Sequence, residues 1–438
     1  MQTSAQTQKT GELVDHLFRN RAGQMVAHLT RLLGPEHLDL AEEVVQEALL
    51  KALQSWPYND IPENPTGWLF QVARNAALDA VRHRNLVNRK TSELMALAEM
   101  DGGSIFTSGR GLGLPGDPDF EEQLRDDELR MVLMCCHPGL SRDARVALSL
   151  KTVGGFSARE IAKAFLCEEA AIAQRLVRAK RQMHEEAIGL ELPSGKDLAQ
   201  RLDSALEAIY LMFNEGYAAQ SGPELFRKDL CDEALRLAKL LADSSVGTPQ
   251  AHALVALLAF QAARLPARLD SHGEMILLED QDRGLWDQEL LSSGFRHFGL
   301  SAEGTEISSY HLQAAIAAIH AGAATEADTD WEKMLDLYDQ LMEVGPSPVV
   351  ALNRAVVVSK VKGTADGLTE LRSLAEEKSL RNYYLLPAAE ASLLLQMGDR
   401  GEAAKLFREA LKRPCSEPEK RLLVRRWAEC EAIGPCFY

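Results

Sequence analysis

The stretch that decides the fold class reads Ser157-Ala-Arg-Glu-Ile-Ala-Lys-Ala-Phe-Leu-Cys-Glu-Glu-Ala-Ala-Ile-Ala-Gln-Arg175. Ser157 and Glu160 are spaced as a capping box, the arrangement that satisfies the backbone N–H groups at a helix start. A short helix, a tight turn and a second helix from Ala170 to about His184 are expected to follow. The second helix carries four Lys or Arg residues and no acid. This order is typical of a helix-turn-helix with a basic recognition helix, although Cys167 replaces the usual turn glycine.

An ordinary helical hairpin with a basic edge is the alternative for this stretch, and the motif alone does not choose between the two. In the second helix, Ile172, Leu176 and Val177 are expected to face inward. The polar residues Gln174, Arg175, Arg178, Lys180 and Arg181 can point outward.

A second helical pattern runs from Asp39 to Leu53. Its apolar residues recur with a helical period, which predicts one buried stripe. The stripe comprises Leu40, Val44, Val45, Ala48, Leu49, Ala52 and Leu53. Glu42, Glu43 and Glu47 lie with Gln46 on the opposite side, either as a solvated face or as a docking surface for a basic or amphipathic helix.

The segment that follows this helix combines a Pro-rich connection with a basic helix. The connection is Trp56–Pro65, and Thr66 is a plausible N-cap. From Arg74 to Lys90 there are five basic residues and one acid. The residues that can share the exposed side are Arg74, Asn75, Arg82 and Arg84. A cationic helix with amides and a nearby indole suits phosphate contact and base stacking.

Two further patterns organise the chain. Residues 101–118 hold six glycines and two prolines, a composition that predicts a flexible linker. A 36-residue period in the last third relates three sets of positions, which predicts repeated helix pairs of tetratricopeptide type, with a generic array of helical hairpins as the alternative. The sets are Leu335, Leu371 and Phe407; Trp331, Gly367 and Ala403; and Ile319, Ala355 and Ala391.

The composition excludes several classes of protein. The 438 residues include 48 Lys and Arg and 64 Asp and Glu, so the net charge of −16 argues against a self-sufficient binder of nucleic acid. The charge is −4 for residues 1–188 and −12 for 189–438. The apolar run Ala253–Phe260 is far shorter than the ~20 residues that span a bilayer. Seven scattered cysteines without a Cys-x-x-Cys pair favour a reducing cytoplasm.

Taken together, the N-terminal motifs resemble an RNA polymerase sigma factor of the sigma-70 family, extracytoplasmic-function (ECF) type. Residues 40–53 look like the region 2 helix that binds the polymerase clamp, and residues 64–79 look like the adjoining segment that engages the −10 element. Residues 155–181 look like region 4, which reads the −35 element. Four further segments resemble the subgroup with a C-terminal tetratricopeptide-like extension: 135–138, 210–217, 278–286 and the segment from Ser347.

The resemblance implies an all-α protein. Two small helical sigma domains, the second a helix-turn-helix, would be joined by a flexible linker and followed by a helical middle domain and a tetratricopeptide-like repeat array. The expected segments are region 2 at 11–92, the linker at 93–118, region 4 at 119–188, the middle domain at 189–300 and the repeats at 301–438.

The resemblance also implies partners and contact residues. The partners would be core RNA polymerase (β′ clamp and β flap), promoter DNA and a regulatory protein or peptide on the repeats, in a bacterial cytoplasm. No membrane, cofactor, metal or catalytic residue is expected. The polymerase-binding residues would be Glu43, Gln46, Glu47 and Leu50. The −10 contacts would be Tyr58, Asn59, Asn64, Trp68, Arg74, Asn75, Arg82 and Arg84. The −35 contacts would be Ala171, Gln174, Arg175, Arg178, Lys180 and Arg181.

Several other residues could suggest chemistry. Residues 135–137, Cys-Cys-His, are expected to hold buried thiols and not metal ligands, because no second cluster accompanies them. Residues 214–217, Asn-Glu-Gly-Tyr, lack a companion base or nucleophile. The acidic segment 270–283 lacks the spacing of a Ca²⁺ loop and is expected to be solvated or to pair with Arg264 and Arg268. Structural roles are expected for His252, His272, His297, His311 and His320.

A sigma factor with an appended regulatory module is therefore the leading hypothesis. One alternative is a tetratricopeptide-type interaction scaffold with N-terminal helical partner-binding domains, which leaves the helix-turn-helix pattern unexplained. Another is a small-molecule enzyme that uses residues 200–290, which lacks a catalytic constellation. Whether removal of residues 189–438 would raise or abolish transcription stays open at this stage.

Overall fold

The computed structural model of the chain describes residues 21–59, 61–88, 118–165, 167–218 and 222–432. Within these ranges the protein is helical and contains no β-strand, which confirms the all-α prediction. The linker predicted at 93–118 lies outside the described residues except for Pro118. The chain divides into two compact units, one reaching Ala208 and the other beginning at Ile209.

The helices of the first unit are α1 (21–33), α2 (Leu38–Asn59), α3 (Pro65–Asn88), α4 (Pro118–Cys135), α5 (Arg142–Leu148), α6 (Ala158–Ala164), α7 (Glu169–Glu185) and the start of α8 (Gly195–Tyr217). Those of the second unit are α9 (Lys228–Ala242), α10 (Pro249–Ala263), α11 (Gln288–Ser301), α12 (Ser309–Gly322), α13 (Trp331–Val344), α14 (Pro348–Val361), α15 (Thr364–Ser373), α16 (Leu385–Gln396), α17 (Arg400–Ala410) and α18 (Glu417–Glu431).

Helices α2 and α3 pack against each other through the apolar stripe predicted for α2. All of that stripe is buried except Leu53, which is exposed. Helix α2 is longer than predicted, because it continues through Pro57 and thereby carries Trp56 into the core. Trp56 meets Trp68 of α3 edge to face at 5.4 Å between ring centroids. A tryptophan expected in the connection is thus a core residue that fixes the angle between the two helices.

Helices α1 and α4 join these two helices to the segment that holds the helix-turn-helix. The buried His28 Nδ1 lies 2.9 Å from a carboxylate oxygen of Asp127, whose other oxygen accepts from Arg31 Nε at 2.7 Å. Gly23 of α1 lies directly against the backbone of Val153, because a Cβ built on Gly23 would lie 1.9 Å from that carbonyl oxygen. A glycine is therefore required for this close approach.

The helix-turn-helix forms as the sequence predicts. Ser157 Oγ accepts from the backbone N–H of Glu160, and the Glu160 carboxylate accepts from the Ser157 N–H, so the capping box is confirmed. Helix α6 ends at Ala164 and α7 begins at Glu169. One expectation was wrong: Val177 is 67% exposed instead of facing inward, since α7 buries Ile172, Leu176, Ala179 and Met183 along a narrower face.

In the second unit, helix α10 is almost wholly buried between its neighbours. It is apolar on every side, as expected for a helix that packs against several others. Gly294 of α11 lies against the Phe260 ring, which a Cβ at Gly294 would meet at 2.6 Å. The α10 and α11 backbones can therefore approach closely.

The 36-residue period corresponds to successive helix pairs. Its three sets of positions fall on α12, α14 and α16 and on α13, α15 and α17. The bulky members Leu335, Leu371 and Phe407 are buried, as are the small members at Gly367 and Ala403. Gly367 lies against Ser359 of the preceding helix, where a Cβ would meet the serine Cβ at 2.4 Å. The pairs thus pack through small residues, and their assignment to the tetratricopeptide type remains a prediction.

Candidate polymerase and promoter interface

Helix α2 presents a polar face opposite its buried stripe. Glu43, Gln46, Glu47 and Leu50, the predicted polymerase contacts, are all exposed on that face. Leu50 is 56% exposed, which places an apolar side chain among acidic ones. Such a surface suits a partner that offers both basic groups and an apolar contact.

The segment between α2 and α3 brings several predicted −10 contacts to the surface. Tyr58 is 79% exposed at the end of α2, and Asn59 is exposed beside it. Asn64 accepts a hydrogen bond from the Gly67 backbone N–H at 2.8 Å, so Asn64 caps α3 instead of Thr66. The Asn64 side chain is therefore already hydrogen-bonded at the start of α3, and a contact with DNA would have to use its remaining groups.

The basic helix α3 carries the other predicted −10 contacts. Asn75 and Arg82 are exposed, whereas Trp68 and Arg74 are partly buried. Asn75 accepts from the Gln71 amide at 3.1 Å, and Arg82 lies 3.5 Å from the Asp79 carboxylate. Arg84 belongs to the same helix, but its side chain lies outside what the structure describes. An exposed pair such as Arg82–Asp79 is weak, so Arg82 can exchange it for a phosphate.

Helix α7 carries the predicted −35 contacts. Ala171, Gln174, Arg178 and Arg181 are exposed along it. Arg181 pairs with Glu185 one turn later, with 2.7 Å between Nε and Oε1. Arg175 is partly buried and lies 3.3 Å from Asp143 of α5. The exposed part of α7 is therefore an amide and arginine face of the kind that reads a major groove.

Lys180 differs from the other predicted −35 contacts. Its Nζ donates to Asp39 Oδ1 at 2.6 Å and to Glu42 Oε2 at 2.9 Å, both on α2. Glu42 also accepts from the Thr152 hydroxyl at 3.0 Å. Burial lowers the pKa of Lys180, but Glu42 and Asp39 more than offset this, so the pKa is raised overall. Lys180 therefore joins α7 to α2 instead of facing outward.

This contact between α7 and α2 was not predicted from the sequence. From the sequence, Asp39 was expected at the start of a helix, Glu42 on a face that is either solvated or a docking surface, and Lys180 on a separate DNA-reading face. No local pattern links residues so far apart in sequence, because a helical period describes only one element at a time. The approach of Gly23 to Val153 was not predicted either. The need for a glycine at position 23 becomes clear only when its packing partner, Val153, is known.

The cysteines near the end of α4 are buried. Cys135 and Cys136 are inaccessible to solvent, and Cys136 Sγ lies 3.3 Å from the Ser149 hydroxyl. Burial raises the pKa of Cys135 well above its usual value and that of Cys136 to about 11. His137 Nδ1 instead accepts from the Gly139 backbone N–H. Thiols in such surroundings stay protonated, which disfavours both metal ligation and nucleophilic attack.

Three residues of the second unit lie close together in space, although their spacing in the sequence does not indicate a shared site. Ligand-type atoms of Asp243, His252 and His297 lie within 4.8 Å of one another, the one such group among the described residues. Arg296 donates to His297 Nε2 at 2.8 Å, so the His297 proton must lie on Nδ1. That nitrogen donates to His252 Nδ1 at 2.9 Å. This hydrogen bond satisfies the facing nitrogens of the two rings without an ion, and we assign the pair a structural role.

The enzyme-like string 214–217 packs as part of the fold. Gly216 lies against Leu230, whose Cβ a side chain at Gly216 would meet at 2.8 Å. Tyr217 stacks on Phe213 at 5.6 Å between centroids, with the Arg268 guanidinium 4.3 Å from its ring centroid. Packing therefore accounts for a glycine at position 216 and for an aromatic ring at position 217.

The acidic segment 270–283 differs from one expectation. Its carboxylates are shared among separate partners, since Glu274 pairs with Arg421 and Glu279 lies 3.5 Å from Lys360. Asp270 accepts backbone N–H groups within its own turn. The expected pairing of these acids with Arg264 and Arg268 is wrong, because both guanidinium groups lie against aromatic rings instead.

Comparison with known proteins follows the same division of the chain. Sigma-70 region 2 matches residues 17–86, sigma-70 region 4 matches residues 130–183, and a family of unknown function (DUF6596) matches residues 201–302. An uncharacterized protein of Rhizobium meliloti (strain 1021) is 40% identical over 375 residues, which is 86% of each chain. No solved structure matches. Among the described residues, no helix is both long and apolar enough to cross a membrane.

Two helical modules in this order, with a capped helix-turn-helix in the second, define a sigma factor. The chain belongs to the sigma-70 family, with an ECF-type region 4 and a helical C-terminal extension that contains the DUF6596 match. The family consists of non-enzymatic initiation factors, so the chain acts in transcription initiation with core RNA polymerase and promoter DNA.

Proposed function

We propose that this sigma factor directs promoter-specific initiation in a bacterial cytoplasm by recognising a −35 and a −10 element and helping to melt the DNA. Helix α7 would enter the major groove of the −35 element. The exposed row formed by Gln174, Arg178 and Arg181, beside a capped helix-turn-helix, is the observation that carries this proposal. Amide and guanidinium groups are the side chains that read base edges there.

Region 2 would hold the −10 element. Arg82 and Asn75 on α3 are exposed and suited to phosphate contacts. Tyr58 offers an exposed aromatic ring close to Asn59 at the end of α2, which supports capture of an unstacked base. Extruding a base costs a few kcal/mol of stacking, which contacts with such a ring and amide can return.

Core polymerase would bind the exposed face of α2 through its β′ clamp, while the β flap would hold region 4. The exposed acids Glu43 and Glu47 around Leu50 support a basic partner with an apolar contact. The protein's net charge of −16 supports weak binding of the free protein to duplex promoter, with polymerase supplying the remaining affinity. A nanomolar gel shift without polymerase at ~150 mM salt would contradict this.

Transcription in vitro with core polymerase tests the promoter contacts. Charge reversal by Arg178→Glu or Arg82→Glu should reduce promoter-directed transcript at least tenfold, because each replaces a phosphate or base contact by repulsion. Arg425→Glu is the matched control, since Arg425 is an exposed arginine on α18. Equal activity of all three variants would contradict the proposal, and failure of the chain to bind core polymerase would remove its basis.

The C-terminal extension would regulate this activity, with a protein or peptide partner on the helix pairs. Such repeats present surfaces to extended or helical ligands, which supports the assignment. The truncation that tests it should end after Ala218 and not at residue 188, because Glu207 of α8 pairs with the buried Arg145 of α5. Increased transcription would identify an inhibitory extension, and lost transcription a required one. Unchanged transcription would contradict regulation by the extension.

A further inference from the structure

Three arginines of the second unit lie close together without an acidic partner. Arg264 ends α10, Arg268 follows it, and Arg283 lies in the short segment before α11. Arg268 is buried and the other two are partly buried. Among the described residues, no carboxylate forms an ion pair with any of the three, although buried cations in proteins are usually paired.

The partners of these arginines are neutral groups. Arg264 Nε donates to the Gln281 amide oxygen at 3.4 Å. Arg268 Nη1 donates to the Tyr217 carbonyl, and Arg283 Nη1 donates to the His320 carbonyl at 2.7 Å. These acceptors satisfy some of the N–H groups but leave the positive charges uncompensated.

Two of these cations lie within cation–π distance of Trp286. The Arg264 and Arg283 guanidinium carbons lie 5.7 Å and 5.3 Å from the centroid of its ring. Two cations drawn to one indole repel each other, and burial together with Arg264 lowers the pKa of Arg283. Burial and both arginines lower the pKa of the neighbouring His320 to about 4, so His320 is neutral at pH 7.

Four buried polar atoms in this region have no hydrogen-bond partner. They are Arg283 Nη2, Trp286 Nε1, His320 Nδ1 and Thr329 Oγ1. Contacts place them in one neighbourhood: Arg283 bonds to the His320 carbonyl and lies by Trp286, while Thr329 precedes Trp331, whose ring meets the His320 ring at 5.7 Å. Buried groups of this kind normally bond to a ligand, an ion or a water.

The neighbouring acids are engaged elsewhere. Glu326 pairs with Lys360 at 2.6 Å, and Asp328 accepts from Thr325 at 2.8 Å. Both carboxylates act on Arg283 electrostatically and partly offset the lowering of its pKa, but neither forms an ion pair with it. A buried water could satisfy the unpartnered N–H groups, but it could not balance the charge.

We infer that the cluster of Arg264, Arg268, Arg283, Trp286 and His320 is a binding site for a phosphate group, either free phosphate or a phosphate monoester. A phosphate dianion offers several acceptor oxygens to the guanidinium and indole N–H donors. It also supplies two negative charges to a cluster in which no arginine forms an ion pair with an acid. The planar guanidinium forks bind such oxyanions in a fixed geometry, which favours phosphate over chloride.

Calorimetric titration of the full-length protein with inorganic phosphate and, separately, with glycerol 3-phosphate tests the site. Saturable binding of one ligand per chain is expected, and potassium chloride at matched ionic strength should give none. Tighter binding of glycerol 3-phosphate would identify a monoester as the ligand, and tighter binding of inorganic phosphate would identify the free ion. Binding of neither probe would overturn the inference.

Two variants and a control test whether phosphate binds at this cluster. Trp286→Phe keeps the ring and removes one donor, and Arg283→Lys keeps the charge and removes the fork; each should weaken phosphate binding about tenfold. Trp427→Phe is the matched control, because the Trp427 Nε1 is also buried without a partner and its ring also faces an arginine. Equal affinity in all three variants, with helicity retained by circular dichroism, would overturn the site. The inference does not depend on the proposed promoter contacts.

Discussion

The two compact units differ in the partners of some of their internal cations. In the first unit, carboxylates from distant parts of the chain neutralise them: Lys180 binds Asp39 and Glu42, and Arg145 binds Glu207. In the second unit, Arg264, Arg268 and Arg283 lie against aromatic rings and carbonyls without an acid. The second unit also pairs other cations with acids, such as Arg227 with Asp229, so the absence of an ion pair is particular to these three arginines, as expected where a ligand completes the site.

The ion pair between Arg145 and Glu207 should be the most costly to break. Arg145 is only 8% exposed, and its Nη1 lies 3.1 Å from Glu207 Oε2. Glu207→Ala leaves a buried charge, so we expect a loss of about 3 kcal/mol in the free energy of unfolding. Urea denaturation, followed by hydrogen exchange in peptides from residues 21–208, measures it. Glu185→Ala removes an exposed partner of Arg181 and should cost under about 0.5 kcal/mol; similar losses in both variants would contradict the comparison.

The close approach of α1 to region 4 should be the next most sensitive feature. Gly23→Ala places a Cβ 1.9 Å from the Val153 carbonyl oxygen, so the backbones must separate. We expect a destabilisation of about 2 kcal/mol, measured by urea denaturation. Gly189→Ala is the control, because no atom lies within 4 Å of a Cβ there. An equal effect at both glycines would show that Gly23 is not needed for this contact.

The second unit should lose stability in acid through His297. Burial, with Arg296, lowers the pKa of His297 from 6.5 to about 4. Between these values the unfolded chain binds a proton that the folded chain does not, so stability falls as the pH drops from about 6.5 towards 4. His297→Gln should reduce the loss between pH 7.5 and 4.5 by roughly 1–2 kcal/mol. Denaturation at both pH values, with exposed His272→Gln as control, checks it; an unchanged acid loss in His297→Gln would refute the assignment.

The contact between α7 and α2 should give the smallest effect. Lys180 is 19% exposed at its side chain, and its partner Asp39 is 83% exposed, so solvent screens part of the attraction. Lys180→Met should cost about 1 kcal/mol and should make unfolding less sensitive to added salt. Denaturation at 50 mM and 500 mM potassium chloride measures both quantities. Arg181→Met, on the solvent side of α7, is the control, and a salt response in Lys180→Met equal to that of the unchanged protein would contradict the pairing.

The sequence predicted the local elements of the candidate interface well. The capping box at Ser157 and Glu160, the acidic exposed face of α2 and the basic face of α7 follow from patterns within a few helical turns. The 36-residue period likewise located the small and bulky positions of the helix pairs. These features are predictable because capping and amphipathic periodicity act between residues near in sequence.

Contacts between different helices could not be predicted from such local patterns. Lys180 satisfied every local criterion for a DNA-reading residue, yet it binds α2. Pairing of Arg264 and Arg268 with the acidic segment was one of two expectations for that segment, yet both arginines pack on aromatic rings. The first compact unit reaches Ala208, and the start of α8 packs on α5 through Glu207, a contact that no local pattern indicated.

What the amino-acid order determined by itself is the all-helical class, the helix-turn-helix, the repeated pairs and the family. Their signals are periodic or local, and the backbone must satisfy them wherever the chain lies. What only the tertiary structure decided is which charges meet: Lys180 with two acids, His252 with His297, and three arginines with none. Burial and Coulomb energy depend on distance in space, and neither can be obtained from distance along the chain.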